Sequence, residues 1–203
     1  YYSAGSLNDE TESVVLAFHG YGQLASYFIR NFESIERSYV VVPEGLHRFY
    51  LKGTEGRVGA SWMTKEDRMV DIENQSNYIN AIYAPIKKVK KQSCRFIVLG
   101  FSQGVSTALR WMVRNNIKVD TFVAWAGSFP LDLEAEAISK TLRDSNFIQV
   151  IGDKDPYFNE EQRTQIQDWI DAHSLHVNTL SFSGEHQIDR TLLHSLVVSS
   201  LPT

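Results

Sequence analysis

Apolar residues fall into short unbroken runs, separated by longer stretches in which they recur every three or four positions. The runs are Val14-Val15-Leu16-Ala17-Phe18, Tyr39-Val40-Val41-Val42, Phe96-Ile97-Val98-Leu99, Thr121-Phe122-Val123-Ala124-Trp125 and, less strictly, Asn146-Phe147-Ile148-Gln149-Val150-Ile151; the more polar Val177-Asn178-Thr179-Leu180-Ser181-Phe182 closes the sheet. A run that is apolar on nearly every residue suits a strand covered by helices on both faces. Between the runs, helical spacing joins Leu24, Phe28 and Phe32, then Ile72, Ile79, Ile82, Tyr83, Ile86 and Val89. It returns in Val105, Ala108, Leu109, Met112 and Val113, in Ile166, Trp169 and Ile170, and in Leu192, Leu193, Leu196 and Val197. This alternation predicts an α/β fold with a mostly parallel sheet and right-handed crossovers. Tyr1 to Ala4 is expected to add an edge strand, and Gly5 to Ser13 reads as a turn.

End signals sharpen some of these elements. Asp71 is expected to cap the second helix, whose C-terminal lysines Lys87, Lys88, Lys90 and Lys91 match the helix dipole, and Pro85 should kink or divide it. Asp132 is expected to cap a helix running to about Arg143, and Asn159 with Gln162 has the form of a capping box. From Pro43 to Val70 neither periodicity is sustained, so the segment reads as an active-site loop. Within it, Gly59-Ala60-Ser61-Trp62 is expected to line a pocket and not the core.

Composition narrows the function classes. At 203 residues the chain fits one domain, 1–203, with one filled core. A hydrophobic fraction of 43%, a charged fraction of 22% and a net charge of -4 fit an ordinary soluble globular protein without the positive excess that holds nucleic acid. One cysteine, Cys94, excludes an internal disulfide framework and leans towards a reducing, cytoplasmic setting. No apolar run is long enough to span a bilayer, so no stable membrane insertion is expected, and nothing before Val14 has the form of a signal peptide.

The chemistry centres on Arg95-Phe96-Ile97-Val98-Leu99-Gly100-Phe101-Ser102-Gln103-Gly104-Val105. A buried strand runs into Gly-x-Ser-x-Gly and then into a helix, the layout of a nucleophile elbow that strains the serine backbone and exposes its hydroxyl. Serine needs a base to take its proton and a carboxylate to fix that base's tautomer. His186 lies after the nucleophile, on the loop Gly184-Glu185-His186 just past a strand, whereas His173, His176 and His194 read as surface residues and His47 belongs to the Pro43–Val70 loop. Asp153 and Asp155 compete as the carboxylate. Asp155 is preferred, because Pro156 biases it towards an extended conformation and it has the longer reach. His19, in His19-Gly20-Tyr21-Gly22, is expected to hold loop geometry. The oxyanion donors expected are the backbone N–H groups of Gln103 and of Tyr21, with Gly22 in reserve.

The five segments His19-Gly20-Tyr21-Gly22, Gly59-Ala60-Ser61-Trp62, Gly100-Phe101-Ser102-Gln103-Gly104, Gly152-Asp153-Lys154-Asp155-Pro156 and Gly184-Glu185-His186 resemble the successive motifs of the phospholipase/carboxylesterase family of α/β-hydrolases. That group includes acyl-protein thioesterases and small bacterial carboxylesterases. The resemblance runs from about Tyr1 to Leu196, and Gly-Phe-Ser-Gln-Gly is much more specific than the general pentapeptide. It implies an α/β-hydrolase fold with a minimal lid, Ser102, Asp155 and His186 as triad, and Tyr21 and Gln103 as oxyanion donors. It also implies hydrolysis of a small-molecule ester through an acyl-enzyme, with no metal or cofactor. Two departures stand out: Tyr21 where the family usually has a small aliphatic residue, and Ile151-Gly152 where it commonly has His-Gly. Trp62, Tyr157 and Phe158 are the candidates for the apolar pocket wall, and short acyl chains are expected. The alternatives are a lysophospholipase or acyl-protein thioesterase, or a non-catalytic sensor on the same scaffold. A homodimer is the oligomer considered.

Overall fold

In a computed structural model, residues 1–130, 132–172 and 174–198 are described. The strands are β1 (Tyr2–Ala4), β2 (Ser13–Phe18), β3 (Ser38–Val42), β4 (His47–Tyr50), β5 (Val58–Ser61), β6 (Arg95–Phe101), β7 (Thr121–Trp125), β8 (Asn146–Gly152) and β9 (Val177–Phe182). The helices are α1 (Ala25–Phe28), α2 (Arg68–Val89), α3 (Gln103–Arg114), α4 (Ala135–Leu142), α5 (Glu160–Ala172) and α6 (Arg190–Val198). Seven strands form one sheet in the order β1-β3-β2-β6-β7-β8-β9. Only β1 is antiparallel to its neighbour, with Tyr2 opposite Val42. This is the α/β-hydrolase fold, a mostly parallel sheet wound with helices on both sides.

Both faces of the inner strands are covered, as the continuous apolar runs require, whereas the edge strands β1 and β9 stay partly exposed. Val14, Leu16 and Phe18 of β2 pack with α2, α3 and α4 on one side, while Val15 and Ala17 pack with α1 and α6 on the other. Five of the six residues assigned to the stripe of α2 are buried, and Val89 is exposed. Among the described residues no helix is long and apolar enough to cross a membrane.

Four local expectations give way to longer-range contacts. The Pro43–Val70 segment is not a loop throughout: β4 and β5 pair antiparallel, His47 opposite Ser61 and Tyr50 opposite Val58, with Gly53 and Gly56 at positive φ in the tip. These short strands escape periodicity because β4 is mostly exposed and the hairpin rests on a loop through a Gln23–Ala60 bridge. Helix α2 begins at Arg68, so Asp71 sits inside its first turn and accepts a hydrogen bond from His47 Nε2 at 3.0 Å instead of capping. It then runs undivided through Pro85 to Val89, because the lost bond is to Ala81 on the exposed side, where water can serve that carbonyl. Asp132 does not cap either: α4 starts at Ala135, and the Asp132 carboxylate is taken by Arg110. The capping box does form, Gln162 N–H donating to Asn159 Oδ1 at 2.9 Å and Asn159 N–H to Gln162 Oε1 at 2.8 Å.

Candidate active site

Central strand β6 delivers Ser102 into a left-handed conformation, φ 53° and ψ -120°, before α3 begins at Gln103. A non-glycine residue held there is strained, and its side chain stands clear of both strand and helix. The turn closes only because its flanking glycines lack a side chain. A Cβ on Gly100 would lie 2.5 Å from Val105 Cα, and one on Gly104 would lie 2.2 Å from the Phe18 carbonyl oxygen. Ser102 N–H donates to Trp125 O at 2.9 Å, which ties the corner to β7.

The loops after β8 and β9 meet at the same edge. Asp153 N–H donates to Phe182 O at 2.9 Å and Lys154 N–H to Gly184 O at 3.0 Å. The two candidate carboxylates separate cleanly on this frame. Asp153 Oδ1 accepts the Gly184 N–H at 2.9 Å and braces the loop. Asp155 Oδ2 lies 2.8 Å from His186 Nδ1, with its side chain wholly buried, and its Oδ1 accepts the Tyr157 N–H at 2.9 Å. His186 Nε2 lies 3.0 Å from Ser102 Oγ. An ionised carboxylate can only accept, so Nδ1 carries the imidazole proton and Nε2 turns its lone pair to the serine hydroxyl. The imidazole ring sits between Phe101 and Tyr157, with centroids 4.9 and 4.7 Å away.

The first loop narrows the choice of oxyanion donor. Gly22 N–H donates to Ala60 O at 2.8 Å and Gly20 N–H to Gln23 Oε1 at 2.8 Å, so both are committed. Tyr21 N–H and Gln103 N–H donate to no other described residue. His19 is fully buried beneath them. Its Nε2 accepts the Gly45 N–H at 2.9 Å, so its Nδ1 must be the protonated nitrogen that donates to Gly20 O at 2.8 Å. Burial pushes the His19 pKa below the ordinary imidazole value, which keeps the ring neutral in this bridging role.

Trp62 is a correction to the expected pocket wall. It is wholly buried, stacks on His19 with centroids 4.9 Å apart, and donates its Nε1–H to His19 O at 2.8 Å. A large ring beside a glycine-rich loop packs under that loop when its N–H finds a buried carbonyl. Tyr157 and Phe158 do line the cavity of about 550 Å³ over Ser102 and His186. A smaller bay of about 260 Å³ continues from it, walled by Phe129, Phe158, Ile166 and Trp169. His47 lies on β4, His176 just before β9 and His194 on α6, none in that cavity, and His173 lies outside the described residues. Among the described residues no three His, Cys, Asp or Glu side chains cluster as metal ligands.

One contributor was not foreseen. The Gln103 side chain bridges α3 to the segment after β5, its Oε1 accepting the Trp62 N–H at 3.1 Å and its Nε2 donating to Met63 O at 3.0 Å. The pentapeptide names this glutamine, but its partners stand about forty residues away and carry no local signal.

A family model described as Phospholipase/Carboxylesterase matches residues 5–199. The chain belongs to the phospholipase/carboxylesterase family. No curated protein matches the sequence. Solved structures share the fold at low identity. A phospholipase/carboxylesterase from Dyadobacter fermentans is 14% identical with a TM-score of 0.67, covering 98% of this chain and 95% of that one. Acyl-protein thioesterase 2 from Zea mays is 15% identical with a TM-score of 0.66, covering 96% and 94%. Esterase PE8 is 18% identical with a TM-score of 0.65, covering 96% and 95%. The phospholipase/carboxylesterase family consists largely of serine hydrolases acting on esters.

Proposed function

We propose that this family member is a serine carboxylesterase that hydrolyses small carboxylic esters or thioesters through an acyl-enzyme. The observation that carries the reading is the unbroken relay from Ser102 Oγ to His186 Nε2 at 3.0 Å and from His186 Nδ1 to Asp155 at 2.8 Å. In the first half-reaction His186 Nε2 takes the Ser102 proton as Oγ bonds to the substrate carbonyl carbon. The tetrahedral oxyanion is held by the Tyr21 and Gln103 N–H groups, and buried Asp155 stabilises the imidazolium. The imidazolium then gives its proton to the departing alcohol or thiol. Water repeats the sequence: His186 takes its proton, hydroxide adds to the acyl carbon, and Ser102 leaves with the proton returned.

Pocket dimensions favour short substrates. The bay of about 260 Å³ beside Phe129 and Trp169 suits a small apolar group on one arm of the ester. Incubation with a fluorophosphonate probe and with p-nitrophenyl acetate tests the reading. Labelling at Ser102 and turnover are expected, both lost in Ser102→Ala with the fold intact; absence of labelling and of turnover in the unaltered chain would favour a binding protein on the same scaffold.

A further inference from the structure

Ser106 and Arg110 follow Ser102 at intervals of four residues, so they lie one and two turns of α3 away, roughly 6 and 12 Å from the nucleophile. A second cavity of about 420 Å³ opens there, lined by Arg68, Ser106, Arg110, Ser128, Phe129 and Asp132. Ser106 and Ser128 line this cavity and the one over Ser102 alike, so the two adjoin. Ser106 Oγ donates to Ser128 O at 2.7 Å and holds that junction in shape.

The charges in this cavity do not cancel. Arg110 is buried and grips Asp132 with both arms of its fork, Nε to Oδ2 at 3.1 Å and Nη2 to Oδ1 at 2.5 Å. The Arg110 guanidinium holds the Asp132 carboxyl below the usual carboxylate range, so it is ionised at neutral pH. Arg68 reaches the same carboxylate with one nitrogen, Nη2 to Oδ2 at 3.3 Å, and its side chain is 42% exposed. Asp132 is the one carboxylate within ion-pair distance of either guanidinium among the described residues. Two guanidinium groups therefore share one carboxylate, and a net positive charge remains. A guanidinium has five N–H donors in a fixed plane, and Arg68 meets Asp132 as an ion pair at 3.3 Å with its side chain 42% exposed, so its donors are open to the cavity or solvent.

We propose that this cavity is an anion subsite of the ester site, binding a carboxylate or phosphate on one arm of the substrate. Arg68 donates to the anion, Arg110 pinned by Asp132 supplies the fixed positive wall, and the apolar arm takes the bay beside Phe129 and Trp169. The substrate class is then an ester whose second functional group is an oxyacid, roughly 6 to 12 Å from the scissile carbonyl. The ester part of this inference rests on the hydrolase reading; the anion site itself does not.

Two series of substrates test it, each anionic ester set against a neutral ester of the same length. One series is p-nitrophenyl half-esters of dicarboxylic acids from succinate to suberate against their methyl-capped forms. The other is butyryl esters of hydroxyalkyl phosphates against those of the parent diols. In at least one series the anionic ester is expected to show about tenfold higher kcat/KM than its neutral partner, the size of a charge-assisted hydrogen bond. Arg68→Gln, checked for an unchanged melting temperature, is expected to reduce that anionic-to-neutral ratio about tenfold, with Arg68→Lys restoring part of it. In parallel, Ser102→Ala protein is titrated calorimetrically with glutarate and with inorganic phosphate. Saturable binding that Arg68→Gln weakens about tenfold upholds the anion site even if no ester is turned over. The proposal is overturned if neither a rate preference nor an anion affinity depends on Arg68.

Discussion

At the scale of single residues, the burial of Asp155 and the bracing role of Asp153 make opposite demands on the same chemical group. Asp155 has no solvent to share its charge and faces His186 Nδ1, so its ionised form sets the tautomer. Asp155→Asn is expected to lower kcat by about a thousandfold or more with the melting temperature little changed, because an amide presents the wrong proton to the ring. Asp153→Asn keeps an oxygen for the Gly184 N–H, so its kcat should stay within about tenfold of the parent. Steady-state kinetics on the two variants checks both; equal losses would contradict the assignment. His19 carries a pH signature. Its folded pKa lies below the unfolded value near 6.5, so the unfolded chain binds the extra proton first as pH falls. Its contribution to stability is complete above about pH 6.5 and declines below it, until the folded-state pKa is passed. Denaturant midpoints from pH 7.5 to 5.0 should fall more steeply for the parent than for His19→Gln. That Ser102, Asp155 and His186 meet was legible from the Gly-x-Ser-x-Gly elbow, from Pro156 and the longer reach of Asp155 over Asp153, and from the loop position of His186 after a strand. Trp62 and the Gln103 side chain were not, because their partners are distant in sequence and a buried ring looks no different from an exposed one.

Secondary-structure elements were readable where their signals are local. The capping box of Asn159 and Gln162 lies within four residues and forms as written. Asp71 and Asp132 carry the same kind of signal, yet His47 and the two arginines claim their carboxylates. Helix C-termini show a related competition between sequence and geometry. Leu175 N–H donates to Ile170 O at 3.2 Å and Ser174 N–H to Asp171 O at 3.1 Å, the double bond pattern that closes a helix through a left-handed residue. Ser174 holds that position at φ 49°, where a side chain is disfavoured. Ser174→Gly is therefore expected to raise stability by up to about 1 kcal/mol, with no change in kcat, in denaturant unfolding. A loss of stability would show that the serine side chain has a compensating contact.

For the molecule as a whole, a sheet whose inner strands are buried on both faces positions three chain-distant groups by leaving no slack at one edge. A Cβ on Gly152 would lie 2.4 Å from Gly184 O, so the loops after β8 and β9 pack backbone against backbone. Trp125 Nε1 donates to Gln187 O at 2.9 Å and fixes the loop of His186 to β7. The apolar runs made the sheet and its helical layers legible. The β4–β5 hairpin, short and mostly exposed, carried too little alternation to be read. What the edge is built to do is tested most directly by trapping the covalent species. In rapid-mix kinetics with p-nitrophenyl acetate, the expected result is a burst of one nitrophenolate per chain, with acetyl found on the Ser102 peptide by mass spectrometry and absent from Ser102→Ala. Turnover with Ser102 unmodified, or a burst that survives in Ser102→Ala, would contradict the account.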